Sequence, residues 1–142
     1  MSVIVKVASS SAQLKSVFAV RKKVFVEEQA VSEEEEYDAF ETSSTHLIAL
    51  IKKTVVGTCR FRNTDKGIKL ERFAVLKEYR GHGVGEALVK ETLDQIDISQ
   101  HVYLHAQIQV VDFYAKYGFM KQGNQFEEAG IKHHKMVLEV AL

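Results

Sequence analysis

The stretch Arg80-Gly81-His82-Gly83-Val84-Gly85 decides the fold prediction, because it joins a predicted strand to a predicted helix. Its three glycines alternate with other residues, so few side chains keep an anion away from the backbone N–H groups. A helix that begins at such a loop adds free amides and the positive end of its dipole. The sequence therefore predicts a diphosphate-binding loop here.

Two common phosphate loops fit this stretch less well. No Gly-Lys-Ser/Thr follows, as a P-loop requires, and Glu86 stands where the dinucleotide-binding pattern needs its third glycine. No strand with a terminal acidic residue follows at the distance expected for a ribose contact. A nicotinamide-dinucleotide module and a glycine turn that only makes a tight connection stay open as alternatives.

The elements around the loop predict an α/β fold with a mixed, mostly antiparallel sheet flanked by helices. The predicted order is β-α-(α)-β-β-β-α-β-α-β-β, with the optional second helix in the acidic stretch after Gln29. A strand-helix-strand unit within a run of antiparallel strands requires such a sheet. Turns are expected at Lys53-Thr54 and at residues 63–67. The strands are expected at residues 1–8, 46–52, 55–62, 68–75, 101–106, from 119 onward and 132–140, and the helices at residues 14–25, 87–96 and 110–117.

Composition limits the classes of function. The chain has 142 residues, the size of one domain, which we take as residues 1–142. Its 19 basic and 19 acidic side chains exclude a nucleic-acid binder held by bulk charge. One cysteine excludes a disulfide framework. No apolar run reaches about 18 residues and no signal peptide precedes the first strand, so we expect a cytoplasmic protein without a membrane partner.

Charge is nevertheless unevenly distributed. Residues 27–41 hold eight acidic residues and no Lys or Arg, so the remainder carries 19 basic against 11 acidic residues. Two fields of opposite sign could serve an anionic and a cationic ligand, and chance clustering is the alternative. The acidic run at residues 33–38 could attract a cationic amine, or could be a solvated loop.

A second segment gives the loop its context. Residues 112–119 place Phe113, Tyr114 and Tyr117 before a glycine that ends a helix, which alone would indicate only an aromatic core stripe. Together with the loop, this segment resembles the GNAT superfamily of acyl-CoA-dependent N-acetyltransferases. The resemblance covers nearly the whole chain and lies in residues 70–75, in residues 80–85 as the R/Q-x-x-G-x-G/A signature, and in residues 113–119. Residues 21–29 and 126–133 are most similar to the ElaA-like bacterial subgroup.

The resemblance implies a GNAT fold, acetyl-CoA as cosubstrate, and transfer to the primary amine of a small molecule or peptide. It implies a bulged strand whose amides hold the pantetheine arm, and a loop that holds the pyrophosphate. Gln107 stands where the family has a pantetheine-contacting asparagine, with Val110 in place of the alanine that follows. A homodimer is one assembly that it suggests. The cofactor-binding residues that it implies are Phe73, Ala74, Val75, Arg80, Gly81, His82, Gly83, Val84, Gly85 and Gln107.

The chemistry requires a base and an acid. An alkylammonium has a pKa of about 10, so an attacking amine must lose a proton, and the departing thiolate gains from a proton donor. The resemblance assigns the donor to Tyr114 and a water-relayed base to Glu71. The alternatives are a contact-only role for Tyr114 and an ion-pair role for Glu71. His105 is a second candidate base, or else a hydrogen-bonded core histidine.

The cysteine and the other histidines are expected to be structural. Cys59 lies within an apolar strand with no base nearby in sequence, which favours a packed thiol, and direct transfer in a ternary complex needs no covalent intermediate. His101 shares a strand face with His105, and His133 precedes His134, but no third ligand follows at a metal-site spacing, so no metal is expected. A non-catalytic CoA-binding sensor of the same fold is the alternative function.

Overall fold

The computed structural model describes residues 2–139, and its centre is a seven-stranded sheet in the order β1-β2-β3-β4-β5-β7-β6. β4 and β5 run parallel, whereas the other neighbouring strands are antiparallel. The predicted element order and the mixed sheet are confirmed. The strands are β1 (Ile4–Val7), β2 (Thr45–Ile51), β3 (Thr54–Thr64), β4 (Gly67–Val75), β5 (Val102–Gln107), β6 (Phe119–Glu128) and β7 (Ile131–Leu138). The predicted ends at Met1 and Val140 lie outside the described residues.

Helices cover the sheet: α1 (Ser11–Arg21), the short α2 (Glu33–Glu36), α3 (Val84–Gln95) and α4 (Val111–Ala115). Ser10 caps α1, since its side chain accepts from the Gln13 amide while the Gln13 side chain accepts from the Ser10 amide. The α-helix predicted to run through Phe25 instead becomes π-helical over Lys22–Glu28. That wider turn is not visible in helical spacing, and such π segments occur often at functional sites.

The turn between β2 and β3 is one residue earlier than predicted. Lys52 and Lys53 occupy it with φ of +48° and +70°, and Thr54 is already the first residue of β3. Two left-handed residues in succession form the turn that matches the twist of a hairpin, although neither is a glycine. The prediction of Lys53-Thr54 is therefore wrong by one position.

β4 and β5 pair over a short stretch and then separate, and this separation determines where the cavity between them lies. They pair only where Ile68, Lys69 and Leu70 meet Val102, Tyr103 and Leu104. Beyond Leu70, Arg72 adopts a φ of +58°, and Arg72 and Phe73 together face Cys59 across the ladder to β3. This β-bulge bends β4 while β5 continues to Gln107 along β7. The bulge was expected at residues 73–75, but Ala74 and Val75 pair regularly with Thr58 and Gly57.

Gly67, at the start of β4, offers a stability test. Its φ is +138°, and a Cβ added there would lie 2.2 Å from the carbonyl oxygen of His101. We expect Gly67→Ala to lower the free energy of unfolding by about 3 kcal/mol, because strain and a backbone clash combine. Gly123→Ala is the matched control: its φ is +79° and nothing lies within 4 Å of an added Cβ, so about 1 kcal/mol is expected. Urea unfolding measures both, and equal losses would contradict the clash.

Candidate active site

A cavity of about 1010 Å³ lies between the separating strands. β4 from Leu70 to Val75 forms one wall, β5 from Leu104 to Gln107 the other, and the start of α3 closes one end. Past the last pair of the parallel ladder, the two strands turn unpaired backbone edges toward each other. Backbone donors and acceptors in that position suit an extended, amide-containing ligand.

The glycine loop stands at this end of the cavity. Gly83 is the N-cap of α3 with a φ of +80°, and no side chain caps the helix. The first backbone bond of the helix runs from the Ala87 N–H to the Gly83 carbonyl at 3.0 Å, so within residues 2–139 the amides of residues 84–86 have no backbone acceptor. Nothing lies within 4 Å of a Cβ added at Gly81 or Gly83. The loop is therefore open to an anion of the size and charge of a diphosphate.

Arg80 joins the loop to the π-helical segment. Its Nε donates to the Val75 carbonyl at 3.0 Å, and its two terminal nitrogens donate to the Glu28 carboxylate, each at 2.8 Å. The hydrogen bond from Arg80 lowers the pKa of Glu28. Arg80 lines the cavity, whereas the neighbouring His82 is exposed and lies outside its lining.

Tyr114 on α4 lines the same cavity as the glycine loop. It is buried, and its ring packs edge-on against Phe73, with ring centroids 5.6 Å apart, and against Phe119 at 6.2 Å. Burial raises the pKa of Tyr114 well above its ordinary value. The phenol therefore stays protonated at neutral pH and is available as a donor.

Gln107, at the end of β5, is held by two other glutamines. Its Nε2 donates to Gln29 Oε1 at 2.8 Å, and its Oε1 accepts from Gln109 Nε2 at 2.7 Å. Both bonds keep the amide at the cavity rim. A ligand that used this amide would have to replace one of these partners.

Glu71 lies in the wall of the cavity among three cations. Its carboxylate accepts from Arg60 Nε at 3.1 Å and from Arg62 Nε at 2.7 Å, and it lies 3.2 Å from Lys69 Nζ. Burial opposes ionisation, but the hydrogen bond from Arg62 and the charges of Arg60 and Lys69 prevail and lower the pKa of Glu71. A carboxylate so stabilised is a weak proton acceptor.

The acidic segment is also paired with arginines. The Glu36 carboxylate accepts from Arg21 Nε at 2.7 Å and lies 3.3 Å from Arg72 Nε, while Asp38 accepts from Arg60 at 2.7 and 2.9 Å. Arg21 and Arg60 are fully buried. The predicted acidic and basic segments thus meet along this wall. Within the acidic run, the carboxylates of Glu36 and Asp38 are used within the fold, whereas Glu33, Glu34 and Glu35 stay exposed.

His105 stands on the other wall with a carboxylate beside it. Its Nδ1 lies 3.1 Å from Glu128 Oε1, and its ring packs edge-on against Phe126, with centroids 5.0 Å apart. The hydrogen bond from His105 is the largest cause that lowers the pKa of Glu128, to about 2. In the tautomer that donates from Nδ1 to this carboxylate, Nε2 is the ring nitrogen with a free lone pair.

Residues 7–140 match the family described as Acetyltransferase (GNAT) domain. The chain belongs to the GNAT acetyltransferase family. A Bacillus subtilis relative, the uncharacterised N-acetyltransferase YjcF, is 40% identical over 134 residues, which are 92% of this chain and 96% of YjcF. Escherichia coli ElaA is 29% identical over 138 residues, 92% of this chain and 90% of ElaA. Family membership places the activity of this GNAT domain among the acyl transferases.

Solved structures share the GNAT fold. Escherichia coli ElaA superimposes with a TM-score of 0.86 at 25% identity, over 97% of this chain and 100% of ElaA. A GNAT acetyltransferase from Elizabethkingia anophelis, crystallised with acetyl-CoA bound, gives a TM-score of 0.70 at 14% identity over 97% and 98% of the two chains. The resemblance to the superfamily and to ElaA is confirmed.

Cys59 of this GNAT domain lies in the core. It is 1% exposed, its Sγ lies 3.3 Å from Thr92 Oγ1, and burial raises its pKa to about 12. Since the thiolate is the nucleophilic form, this thiol is inert at neutral pH.

Within residues 2–139, no three His, Cys, Asp or Glu side chains gather as a metal site would need. No helix in that range is long and apolar enough to cross a bilayer.

Sequence reasoning assigned no site role to six charged side chains that line the cavity: Arg62, Lys69, Arg72, Glu86, Lys116 and Glu128. A signal existed for two of them. Arg62 is two residues from Arg60 on β3, and Lys69 is two residues from Glu71 on β4, so strand alternation places each pair on one face. No local pattern indicated Glu128, because its partner His105 is 23 residues away in sequence.

Asp38 provides a pH test of the ion pairs between the acidic segment and the buried arginines. The hydrogen bond from Arg60, together with one from the Phe40 amide, overcomes burial and lowers the pKa of Asp38 to about 2. Its stabilisation is present above the unfolded pKa of about 3.9 and is lost as the pH falls toward 2. We expect Asp38→Asn to reduce the free energy of unfolding by about 1 to 2 kcal/mol at pH 7 and by progressively less below pH 4.

The control is Asp94→Asn on the exposed face of α3, which should differ little from wild type across this range. Denaturant unfolding at pH 7, 4, 3 and 2 measures the difference. A deficit for Asp38→Asn that stays constant down to pH 2 would contradict the assignment.

Proposed function

We propose that this GNAT domain transfers an acetyl group from acetyl-CoA to a primary amine, by direct attack in a ternary complex. One observation carries the proposal: a single cavity joins two unpaired strand edges to the uncapped N-terminus of α3. Bound acetyl-CoA would supply a thioester with an electrophilic acyl carbon and a thiolate leaving group. The acetyl-CoA-bound Elizabethkingia anophelis neighbour supports that choice of cosubstrate. The proposal includes a cytoplasmic location, where acetyl-CoA is available to such an enzyme.

The cosubstrate would be held mainly by backbone. Residues 80–85, with the free amides of α3 behind them, would bind the diphosphate, and Arg80 would add its charge by exchanging Glu28 for the ligand. Phe73, Ala74 and Val75 would align the pantetheine arm along the edge of β4, with Gln107 across the cleft. Backbone N–H groups at the bulge would stabilise negative charge on the acyl oxygen during attack. No step of this scheme uses Cys59.

Tyr114 would protonate the departing thiolate. Two observations support this role: burial raises the pKa of Tyr114 and keeps the phenol neutral, and Tyr114 lines the cavity beside Phe73. A proton donor at the leaving group speeds such a step by about 100-fold or more.

The proton of the attacking amine has two candidate acceptors. Glu71 was predicted from the resemblance, but its three cationic neighbours favour its ionised form and weaken it as a base. His105 lines the same cavity, and Glu128 on Nδ1 leaves Nε2 to accept a proton. We therefore favour His105 as the base and assign Glu71 the task of holding Arg62 and Lys69 in place.

A first experiment separates an enzyme from a sensor. Calorimetry should detect binding of CoA, and a thiol-release assay with acetyl-CoA and a panel of amines should detect turnover. We expect Tyr114→Phe to lower kcat about 100-fold while CoA affinity changes little. Tyr37→Phe is the control, because it removes a hydroxyl that donates to the Phe18 carbonyl outside the cavity. CoA binding without turnover on any amine would indicate the sensor, and no CoA uptake at millimolar concentration would overturn the proposal.

A second experiment assigns the base. We expect His105→Gln to lower kcat about 100-fold with little change in melting temperature. Glu71→Gln should weaken folding and raise KM, since Arg60, Arg62 and Lys69 lose their shared carboxylate, yet it should change kcat little. Melting temperatures of both variants separate loss of fold from loss of chemistry. A large loss of kcat in folded Glu71→Gln with kcat retained in His105→Gln would return the role to Glu71.

A further inference from the structure

A second, smaller cavity of about 270 Å³ adjoins the first on the same face of the sheet. Arg62, Lys69 and His105 line both cavities and so form their common wall. The others that line the smaller cavity are Thr64, Asp65, Lys66, Tyr103 and Lys135. Its floor is polar, because the Tyr103 hydroxyl lies 2.8 Å from Thr64 Oγ1. The two cavities are therefore neighbours on either side of Arg62, Lys69 and His105.

The charge in the small cavity is strongly unbalanced. Arg62, Lys66, Lys69 and Lys135 line it against the single carboxylate of Asp65. Among residues 2–139, no carboxylate lies within 4.0 Å of the ammonium of Lys66 or of Lys135. Lys135 has only the Tyr103 ring, with its Nζ 5.2 Å from the centroid.

The other two cations are only partly satisfied. Arg62 gives its Nε to Glu71, and its guanidinium carbon lies 3.8 Å above the Phe40 ring, while Lys69 shares the same Glu71 carboxylate. One buried carboxylate thus serves both side chains, along with Arg60. The terminal nitrogens of Arg62 make no hydrogen bond within the described residues, and they can pair with an anion in a bidentate way.

This cavity is too far from the glycine loop to hold the diphosphate. Lys69 precedes Val75 by six residues on β4, which is about 20 Å along a strand. From Lys69 to the bulge at Arg72 and Phe73, where acyl transfer is placed, the distance is about 10 to 13 Å. An acceptor that spans this interval would put its amine at the bulge and its far end among the cations.

We propose that the small cavity binds an anionic group on the acceptor, so that the substrate is an amine with a carboxylate or phosphate at its other end. The proposal rests on the proposed function, since it names the acceptor class for that reaction. Arg62, Lys66, Lys69 and Lys135 receive the anion. His105 stands between this subsite and the site of attack.

Matched amines test the preference. We compare kcat/KM for 8-aminooctanoate with its neutral amide, 8-aminooctanamide, and for 8-aminooctyl phosphate with 8-aminooctanol, because these chains are long enough to span the interval. The anionic member of at least one pair should react about tenfold faster at low concentration, and the pair that shows it identifies carboxylate or phosphate. Ratios near one in both pairs would overturn the proposal.

Lysine variants locate the effect. Lys66→Gln and Lys135→Gln should each reduce the anionic-to-neutral ratio of kcat/KM about threefold to fivefold, and the double variant should bring it near one. Lys6→Gln on β1, at the opposite edge of the sheet, removes the same charge and should keep the wild-type ratio. A ratio that falls equally in Lys6→Gln, or stays unchanged in the double variant, would place the recognition elsewhere and reject this cavity.

A binding measurement separates this inference from the proposed function. Inorganic phosphate is titrated into ¹⁵N-labelled protein, and amide resonances at Lys66, Gly67 and Lys135 report the small cavity, while those of residues 81–85 report the glycine loop. Saturable shifts at the first group that disappear in Lys66→Gln/Lys135→Gln would support the anion site even if no amine were acetylated. Shifts confined to the glycine loop would overturn it even if acetyl transfer were demonstrated.

Discussion

The early separation of β4 from β5 is the constraint on which the site depends. Parallel pairing stops after three residue pairs, so two rows of backbone groups lose their partners in the middle of a sheet. The arrangement holds because β4 remains paired to β3 on both sides of the bulge and because Arg72, in its left-handed conformation, lies beside Glu36 and Asp38. Those carboxylates help to stabilise a strained residue, and the strain opens the cavity.

Buried arginines connect that constraint to the acidic segment. Arg21 on α1 and Arg60 on β3 are fully buried, and both donate to Glu41, at 2.8 and 2.9 Å. Loss of one partner would leave a buried charge unpaired, which is far more destabilising than loss of a surface pair. The network therefore fixes the side of the cavity that carries Asp38, Glu71 and Arg72. It also uses the charge of Glu71 for structure, which is why proton transfer passes to His105 in the proposed mechanism.

The two sides of the cavity differ in how far sequence can reveal them. One side is made largely of backbone at residues 73–75 and 80–85. Glycine spacing singled out the loop, whereas residues 73–75 and Tyr114 were expected from the resemblance to the GNAT superfamily. The other side is made of side chains from β3, β4, β5, β6 and the segment before β2. Pairs such as His105 with Glu128, or Arg60 with Asp38, form only when distant strands and loops are in register. Glu71 was recognised as a candidate from its position, but not its three cationic neighbours.

The sequence by itself determined the order of elements and the glycine-rich character of the loop before α3, because both are read from residues that lie close together in the chain. Tertiary structure alone decided where β4 bulges, where the helix after Arg21 widens into a π turn, and which carboxylates neutralise which arginines. It also decided that four cations surround a second cavity beside the first. These features depend on strand register and on contacts between segments far apart in the chain, which no local pattern encodes.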